Sequence, residues 1–340
     1  MRAKERSMPE NSVKALLSES TTVVLSPGYE GANIGTIIGF KHVNYLVEKA
    51  VIEHFRRSGL PVGRLYEQHG LGFDITDIDS RLQTALVVDD QAMIEVTPTT
   101  GEGADALSFK VIITVERDGA PKRAVVSKVK AQLRTDDNDV RMLRRLPVPE
   151  GLEDFVTARI GGAEPGAAAP VVTDGTLISG GSAETDAVLD QLLAGRNAYG
   201  WKFRIPYPFV HFFERLQMSG YLRLMEEAKH RFVDARGISI RELLTEQNWI
   251  PAVTHSRVTL LDEALLEEDL YVVYTVEDIF KNLLYTSRLD TYVVRDGHLV
   301  QTSTGTITHA YGVVENGSEG RLVTFDDRVL AALADKRTVA

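Results

Sequence analysis

The sequence predicts an α+β protein built from two tandem copies of one domain. Each copy is an antiparallel sheet wrapped around a central helix, and the two form a pseudo-twofold pair. Three observations carry this. Landmarks recur at one spacing: Arg117-Asp118-Gly119 returns as Arg295-Asp296-Gly297, Glu48 as Glu226, Ala50 as Ala228 and Gly59 as Gly237, each 178 residues later. Asp90 and Asp269 are 179 apart, one residue out of step. Each half holds one long segment with apolar residues at three- and four-residue intervals, the pattern of a helix with one buried face. Each half then continues in four β-branched runs whose connections are too short for crossover helices, which dictates antiparallel pairing.

The elements follow in chain order. A strand over Thr21–Leu25 leads into a glycine-rich loop, SPGYEGANIG, and then a helix over Phe40–Arg57, with Phe40, Val43, Val47, Ala50, Val51 and Phe55 as its apolar stripe. Gly59 and Pro61 close it, because glycine reaches the left-handed cap and proline cannot continue the ladder. A short helical stretch near Leu65–His69 precedes strands at 72–82, 85–98, 106–116 and 122–135, with a hairpin turn at Asp118-Gly119. The second half repeats the order with a strand at 203–213, a helix over Ser219–Asp234, and strands at 251–261, 265–277, 284–294 and 298–312, turning at Asp296-Gly297. On that helix Leu222, Met225 and Phe232 share one face, with Lys229 at its edge. Asp326–Ala334 reads as a terminal helix. Between the halves GGAEPGAAAP has almost no large side chains and reads as a linker. The expected domains are 20–158 and 199–334, with linker and lead-in over 159–198. An open sheet edge invites pairing, so the two sheets are expected to join edge to edge.

Composition narrows the function classes. The 340 residues are 44% hydrophobic, enough for substantial cores. Cysteine is absent, which removes disulfide scaffolds, thiol nucleophiles and thiolate metal sites and fits a reducing compartment; the expected location is the cytoplasm. The N-terminal MRAKERSMPENS lacks the apolar core of a signal peptide, and no run approaches the ~18 apolar residues of a membrane span. With 38 basic and 48 acidic side chains the formal charge is −10, which argues against nucleic acid as a partner. A short basic stretch, Arg141, Arg144 and Arg145, reads either as a solvated face or as a contact for an anionic tail. No His/Asp/Glu cluster has metal-ligand spacing, and the chain lacks H-E-x-x-H, Walker, dinucleotide and G-x-S-x-G motifs. Neither a metal nor another cofactor is therefore expected.

In the second half Tyr221-Leu222-Arg223-Leu224-Met225-Glu226-Glu227-Ala228-Lys229 is followed by Gly237, eleven residues past Glu226. In the first half Tyr45-Leu46-Val47-Glu48-Lys49-Ala50 is followed by Gly59, again eleven past Glu48. Taken with the loop Glu30-Gly31-Ala32-Asn33-Ile34-Gly35, and with Asp90 and Asp269 ahead of long apolar strands, these segments resemble the hotdog-fold thioesterases of acyl-CoA and acyl-carrier-protein substrates, over about 20–135 and 200–312. His42-Val43-Asn44-Tyr45 resembles the H-V-N-N stretch of double-hotdog acyl-carrier-protein thioesterases, with a shorter following spacing. In that comparison Glu30 takes the place of the first aspartate of the family's acidic loop and Gly35 that of its glycine, while Ala32 departs from the second aspartate. The second-half counterpart is Glu214-Arg215-Leu216-Gln217-Met218-Ser219-Gly220. Glu214 to Glu226 is twelve residues against eighteen from Glu30 to Glu48, so the second half is expected to have lost loop or helix start, leaving the pocket fed by the first loop as the active one.

The resemblance implies hydrolysis of an acyl thioester by activated water or a carboxylate nucleophile, with donors for the developing oxyanion. Glu30 would act as general base or nucleophile, Asn33 would orient water or hold the carbonyl, and His42 would serve as neutral base or hydrogen-bond partner at a helix N-terminus that disfavours imidazolium. Gly35, Thr36 or Gly39 would supply a backbone amide to the oxyanion. Glu214, Gln217 and Glu226 are the second-site alternatives. Blander readings stay open beside these: a solvated loop acid for Glu30, a turn former for Asn33, a structural role for His42. Glu226 and His230 share a helix face, as a buried pair or an exposed contact, whereas His42 and Glu48 do not. His211, among Phe209, Phe212 and Phe213, reads as a core or interface histidine.

Two other functions fit the same fold, a 3-hydroxyacyl-thioester dehydratase or enoyl hydratase and a non-catalytic acyl binder. The expected partner is an acyl-CoA or acyl-carrier-protein thioester of fatty-acid or polyketide metabolism, without nucleic acid or membrane insertion. A homodimer or higher assembly of the two-domain chain is compatible with the pattern.

Overall fold

A computed structural model describes residues 11–136, 146–161, 186–212, 214–315 and 319–334. The basic stretch at 141–145 and most of the linker lie outside these residues. The first half runs α1 (Ser12–Ser18), β1 (Thr21–Leu25), a hairpin of β2 (Ala32–Ile34) and β3 (Ile37–Ile38), then α2 (Phe40–Arg57) and α3 (Val62–His69). Strands β4 (Leu71–Leu82), β5 (Ala92–Pro98), β6 (Leu107–Arg117), β7 (Ala120–Thr135) and the short β8 (Val156–Thr157) complete it. The second half runs α4 (Ala187–Leu193), β9 (Ala198–Arg204), a hairpin of β10 (Val210–His211) and β11 (Arg215–Leu216), then α5 (Met218–Ala235) and α6 (Ile240–Gln247). It ends with β12 (Trp249–Leu260), β13 (Asp269–Phe280), β14 (Leu284–Arg295), β15 (His298–Glu315), β16 (Glu319–Val323) and α7 (Asp327–Ala334).

The large strands form one sheet in the order β1-β5-β6-β7-β4-β12-β15-β14-β13-β9. The expected edge-to-edge junction is the antiparallel β4–β12 pairing, from His255 opposite Arg81 to Thr259 opposite Asp77. Side chains reinforce this seam: Arg257 binds Asp77 at 2.8 Å and His255 meets Asp79 at 2.7 Å. Both hairpin turns are as read, with Asp118-Gly119 and Asp296-Gly297 at positive φ, the mirror-image turn that matches strand twist.

Each half curls its strands around its long helix. Helix α2 buries Val43, Leu46, Val47, Ala50, Val51 and Phe55, and Phe55 meets Phe73 edge-on at 5.0 Å. Helix α5 buries Leu222, Met225 and Phe232 in the same way. Lys229, expected at the edge of that face, is instead inside it, with 5% of its surface exposed. The two central helices pack on each other across the pseudo-twofold. Among the described residues no helix is long and apolar enough to cross a membrane.

Two expectations about the repeat need correction. The second half has lost nothing: α2 and α5 both have 18 residues, and the single 3-10 turns Tyr29–Gly31 and Tyr207–Phe209 precede them at the same distance. Backbone bonds fix the match, since Gly39 N donates to Gly31 O and Gln217 N to Phe209 O. Glu30 therefore corresponds to Pro208, not Glu214, and Glu214 corresponds to Thr36. Nor does Asp269 match Asp90. Arg117 clamps Asp90 at 2.6 Å and Arg295 clamps Glu268 at 2.8 Å, so Glu268 is the true counterpart and the slip of one residue disappears.

Candidate active site

The β2–β3 hairpin folds back onto the start of α2 because Gly31 and Gly39 let it. A Cβ on Gly31 would lie 3.0 Å from that of His42, and one on Gly39 would lie 2.9 Å from Asn33 Nδ2. This close return aims Asn33 across the pseudo-twofold at α5, where its Nδ2 donates to Glu226 Oε1 at 3.1 Å. The other carboxylate oxygen of Glu226 meets Lys41 Nζ at 2.9 Å. Glu226 is thus held by one residue from the hairpin and one from the first turn of α2, both in the opposite half of the chain.

Around this pair the predicted residues separate. His42 is buried, and its ring meets Tyr45 edge-on at 5.1 Å. Burial lowers its pKa, the Lys41 charge adds to that, and the Glu30 and Glu226 carboxylates oppose it; the ring stays neutral near pH 7. Neither ring nitrogen has a hydrogen-bond partner among the described residues. Glu30 stands 3.8 Å from His42 Nε2 with 79% of its side chain exposed. Gly35 and Thr36 sit exposed at the hairpin tip, where Gly35 takes φ +64 and the Thr36 carbonyl accepts from Val88 N.

A cavity of ≈ 660 Å³ opens beside Asn33, Gly39 and Glu226 and runs between α2 and α5 toward β12 and β15. Ile38, Val43, Ile250 and Val253 give it apolar walls, while Arg223, Lys229 and His230 from α5 and His309 from β15 bring nitrogen-bearing side chains to it. Glu30, Gly35 and Thr36 are not among its lining residues. His230, considered as a partner for Glu226, is exposed, and Glu226 turns to Asn33 and Lys41.

The pseudo-equivalent position is built differently. His211 takes the place of Asn33 and bonds Asp74 at 2.8 Å, with Arg215 on the other Asp74 oxygen. Glu48, the counterpart of Glu226, has its pKa raised by burial, with the His211 charge pulling the other way. Gln217 stands at the Gly39 position, heading α5, and Glu214 is exposed at the hairpin tip with φ +64. Asn44, beside His42 in sequence, is occupied structurally: it bonds Phe40 O, Ser256 Oγ and Ser80 Oγ across the seam.

No protein-family model matches the sequence, and no curated protein matches it. Solved structures do. A protein assigned as an oleoyl thioesterase from Lactobacillus plantarum superposes with a TM-score of 0.54 at 11% identity, covering 88% of this chain and 98% of that one. The 12:0-ACP thioesterase from Umbellularia californica gives 0.53 at 9% identity, over 86% and 94% of the two chains. An acyl-ACP thioesterase from Bacteroides thetaiotaomicron gives 0.50 at 8% identity, over 89% and 100%. The fold is a double hotdog. Both hotdog units take part in the match, since 86–89% of the chain is more than either half holds.

Two residues of this cavity wall and its support were not placed here by the sequence. Glu226 was placed in a second site because it lies in the second half, but it completes the cavity that Asn33 opens. Lys41 carried a readable signal: a lysine in the first turn of a helix opposes the helix dipole and calls for a carboxylate partner.

Proposed function

We propose that this double-hotdog chain hydrolyses acyl thioesters, carried on coenzyme A or an acyl carrier protein, at the composite site where Asn33 and Glu226 meet. The observation that carries the reading is the Asn33–Glu226 contact of 3.1 Å at the wall of an apolar cavity large enough for an acyl chain. The resemblance of the fold to solved thioesterases supports it.

In this reading the acyl chain lies along Ile38, Val43 and Ile250, and the thioester carbonyl rests against the start of α2. The first-turn amides of Phe40 and Lys41 have no acceptor within the helix and point toward developing negative charge. Glu226 takes a proton from water as the water oxygen adds to the carbonyl carbon. The C–S bond then breaks and the proton passes to the thiolate, leaving a carboxylic acid and a free thiol. Direct attack by Glu226 reaches the same products through an anhydride that water opens. Asn33 orients the carboxylate, and neutral His42 stands behind the oxyanion side. Glu226 takes the role read into Glu30 because Glu226 lines the cavity and Glu30 faces solvent.

The test follows free thiol and product mass together across short, long, aromatic and 3-hydroxyacyl thioesters. Glu226→Gln is expected to lower kcat/KM by on the order of 10²–10⁴, while Glu30→Gln stays within a few-fold. Equal loss in both variants returns the base to the hairpin loop. Loss or gain of water without thiol release makes the protein a lyase.

A further inference from the structure

The far side of the cavity contains two nitrogen-bearing side chains that hydrolysis does not use. Lys229 leaves α5 one turn after Glu226, has 5% of its surface exposed, and lines the cavity. Its ammonium lies 5.1 Å above the ring of Tyr311, and Nζ has no hydrogen-bond partner among the described residues. His309, from β15, is 2% exposed and lines the same wall. Its ring stacks on Tyr285 at 4.8 Å, and neither nitrogen has a partner among the described residues.

Buried polar groups in folded chains are nearly always satisfied, and an unpaired cationic one is among the most unfavourable features a core can carry. Two together, in side chains that line one cavity, mark a place where something else completes the bonding. Charge says what. Lys41 and Glu226 balance each other at the other end of the cavity and Glu227 pairs with Arg231, so that Lys229, though drawn by the Glu226 charge, makes no ion pair among the described residues. The neutral imidazole beside it can donate one hydrogen bond. An anion with two acceptor oxygens answers both groups at once.

We propose that Lys229 and His309 bind a carboxylate carried on the acyl chain, so that the preferred substrates are thioesters of dicarboxylic acids. The inference rests on the thioesterase reading for where the other end of the acyl group lies. Lys229 is already stripped of water in the folded chain, so the incoming carboxylate meets a desolvated, fixed partner, and only its own hydration is lost on binding. The surrounding walls, Ile250, Val253 and the methylenes of Lys229, take the alkyl segment between the two carboxyl ends.

The experiment has two arms on the full chain. In the first, calorimetry compares free suberate with octanoate, a pair of equal carbon number. Suberate is expected to bind on the order of tenfold tighter, and Lys229→Met, which keeps the apolar stem and drops the charge, is expected to erase the difference. In the second, suberyl-CoA and octanoyl-CoA are compared by kcat/KM, and the ratio is expected to favour suberyl-CoA by a similar factor and to collapse in Lys229→Met. Equal binding of the two acids by the unaltered protein overturns the proposal, and so does a suberate preference that survives in Lys229→Met. If Lys229→Met does not fold, His309→Gln takes its place in both arms, and the comparison of acids on the unaltered chain decides alone. Preferential suberate binding without any thiol release keeps the carboxylate site and removes the thioesterase reading.

Discussion

Tyr45 and Arg223 occupy the same position in the two halves, 178 residues apart, and they touch: Arg223 Nε donates to Tyr45 Oη at 3.2 Å. A residue can meet its own counterpart only on the axis that relates the copies, so this contact marks the pseudo-twofold between α2 and α5. Tyr45 Oη in turn donates to the Ser219 carbonyl at the first turn of α5. Asn33 and Glu226 meet beside this axis, which is why each half supplies one member of the pair.

Gly39→Ala tests the close return of the hairpin. The new Cβ would stand 2.9 Å from Asn33 Nδ2 and 3.3 Å from Glu226 Oε1, so that pair must part. The φ of −67 suits alanine, so the backbone tolerates the change. Thioester hydrolysis is expected to fall about 10–100-fold with the urea midpoint nearly unchanged. Gly63→Ala, at a position with open space around it, is the control and should alter neither.

Arg117→Ala tests the clamp on Asp90, whose carboxylate receives two guanidinium bonds while 8% exposed. Removing the arginine strands a buried carboxylate, and a loss of about 3 kcal/mol in unfolding free energy is expected by urea denaturation. Arg295→Ala should behave alike, because Arg295 clamps Glu268 in the same fashion.

Lys229 should write itself into the alkaline stability profile. Burial pulls its pKa from the ordinary 10.5 to about 7, against the attraction of Glu226. Between those values the unfolded chain binds a proton that the folded chain does not, so stability rises as pH climbs from 7 toward 10. Lys229→Met removes the rise. The gap between the two proteins, in favour of the variant at pH 7, should narrow by roughly 4 kcal/mol by pH 10. Above that the buried Tyr221, Tyr274 and Tyr311, whose pKa values burial raises, act with the opposite sign.

The acid side belongs to histidine. His42, His54 and His309 all have pKa values lowered from 6.5, chiefly by burial. Below pH 6.5 the unfolded chain takes up protons that the folded chain refuses, so stability falls as pH drops. Urea midpoints at pH 7 and pH 5 should show this fall, and His309→Gln should make it shallower.

The sequence carried the architecture well where periodicity decided it. Helix α2 has the limits read from its apolar stripe, and the paired hairpins turn at the two Asp-Gly steps. Helix α6 went unread although Ser239 and Glu242 form a capping box that is visible as S-x-x-E. The site was less legible for a physical reason. Glu30 and Glu214 were matched because both are acids in loops before a helix, whereas the true match is set by backbone bonds that residue type does not reveal. The union of Asn33 with Glu226 depends on helix packing across an axis, and so does the burial of Lys229, since a stripe on a helical wheel does not say how deep its edge will lie.

The replacement of Asn33 by His211 at the equivalent position has a consequence for how such a molecule can change. In an assembly of two identical chains every mutation appears twice, and a wall improved for one chamber is imposed on the other. Joined in one chain, the two chambers inherit separately. One can keep the amide and the open carboxylate while the other closes around Asp74 and Arg215 as a brace. Covalent linkage therefore separates strength from selectivity: one interface can be tuned for holding the molecule together while its twin explores new cargo.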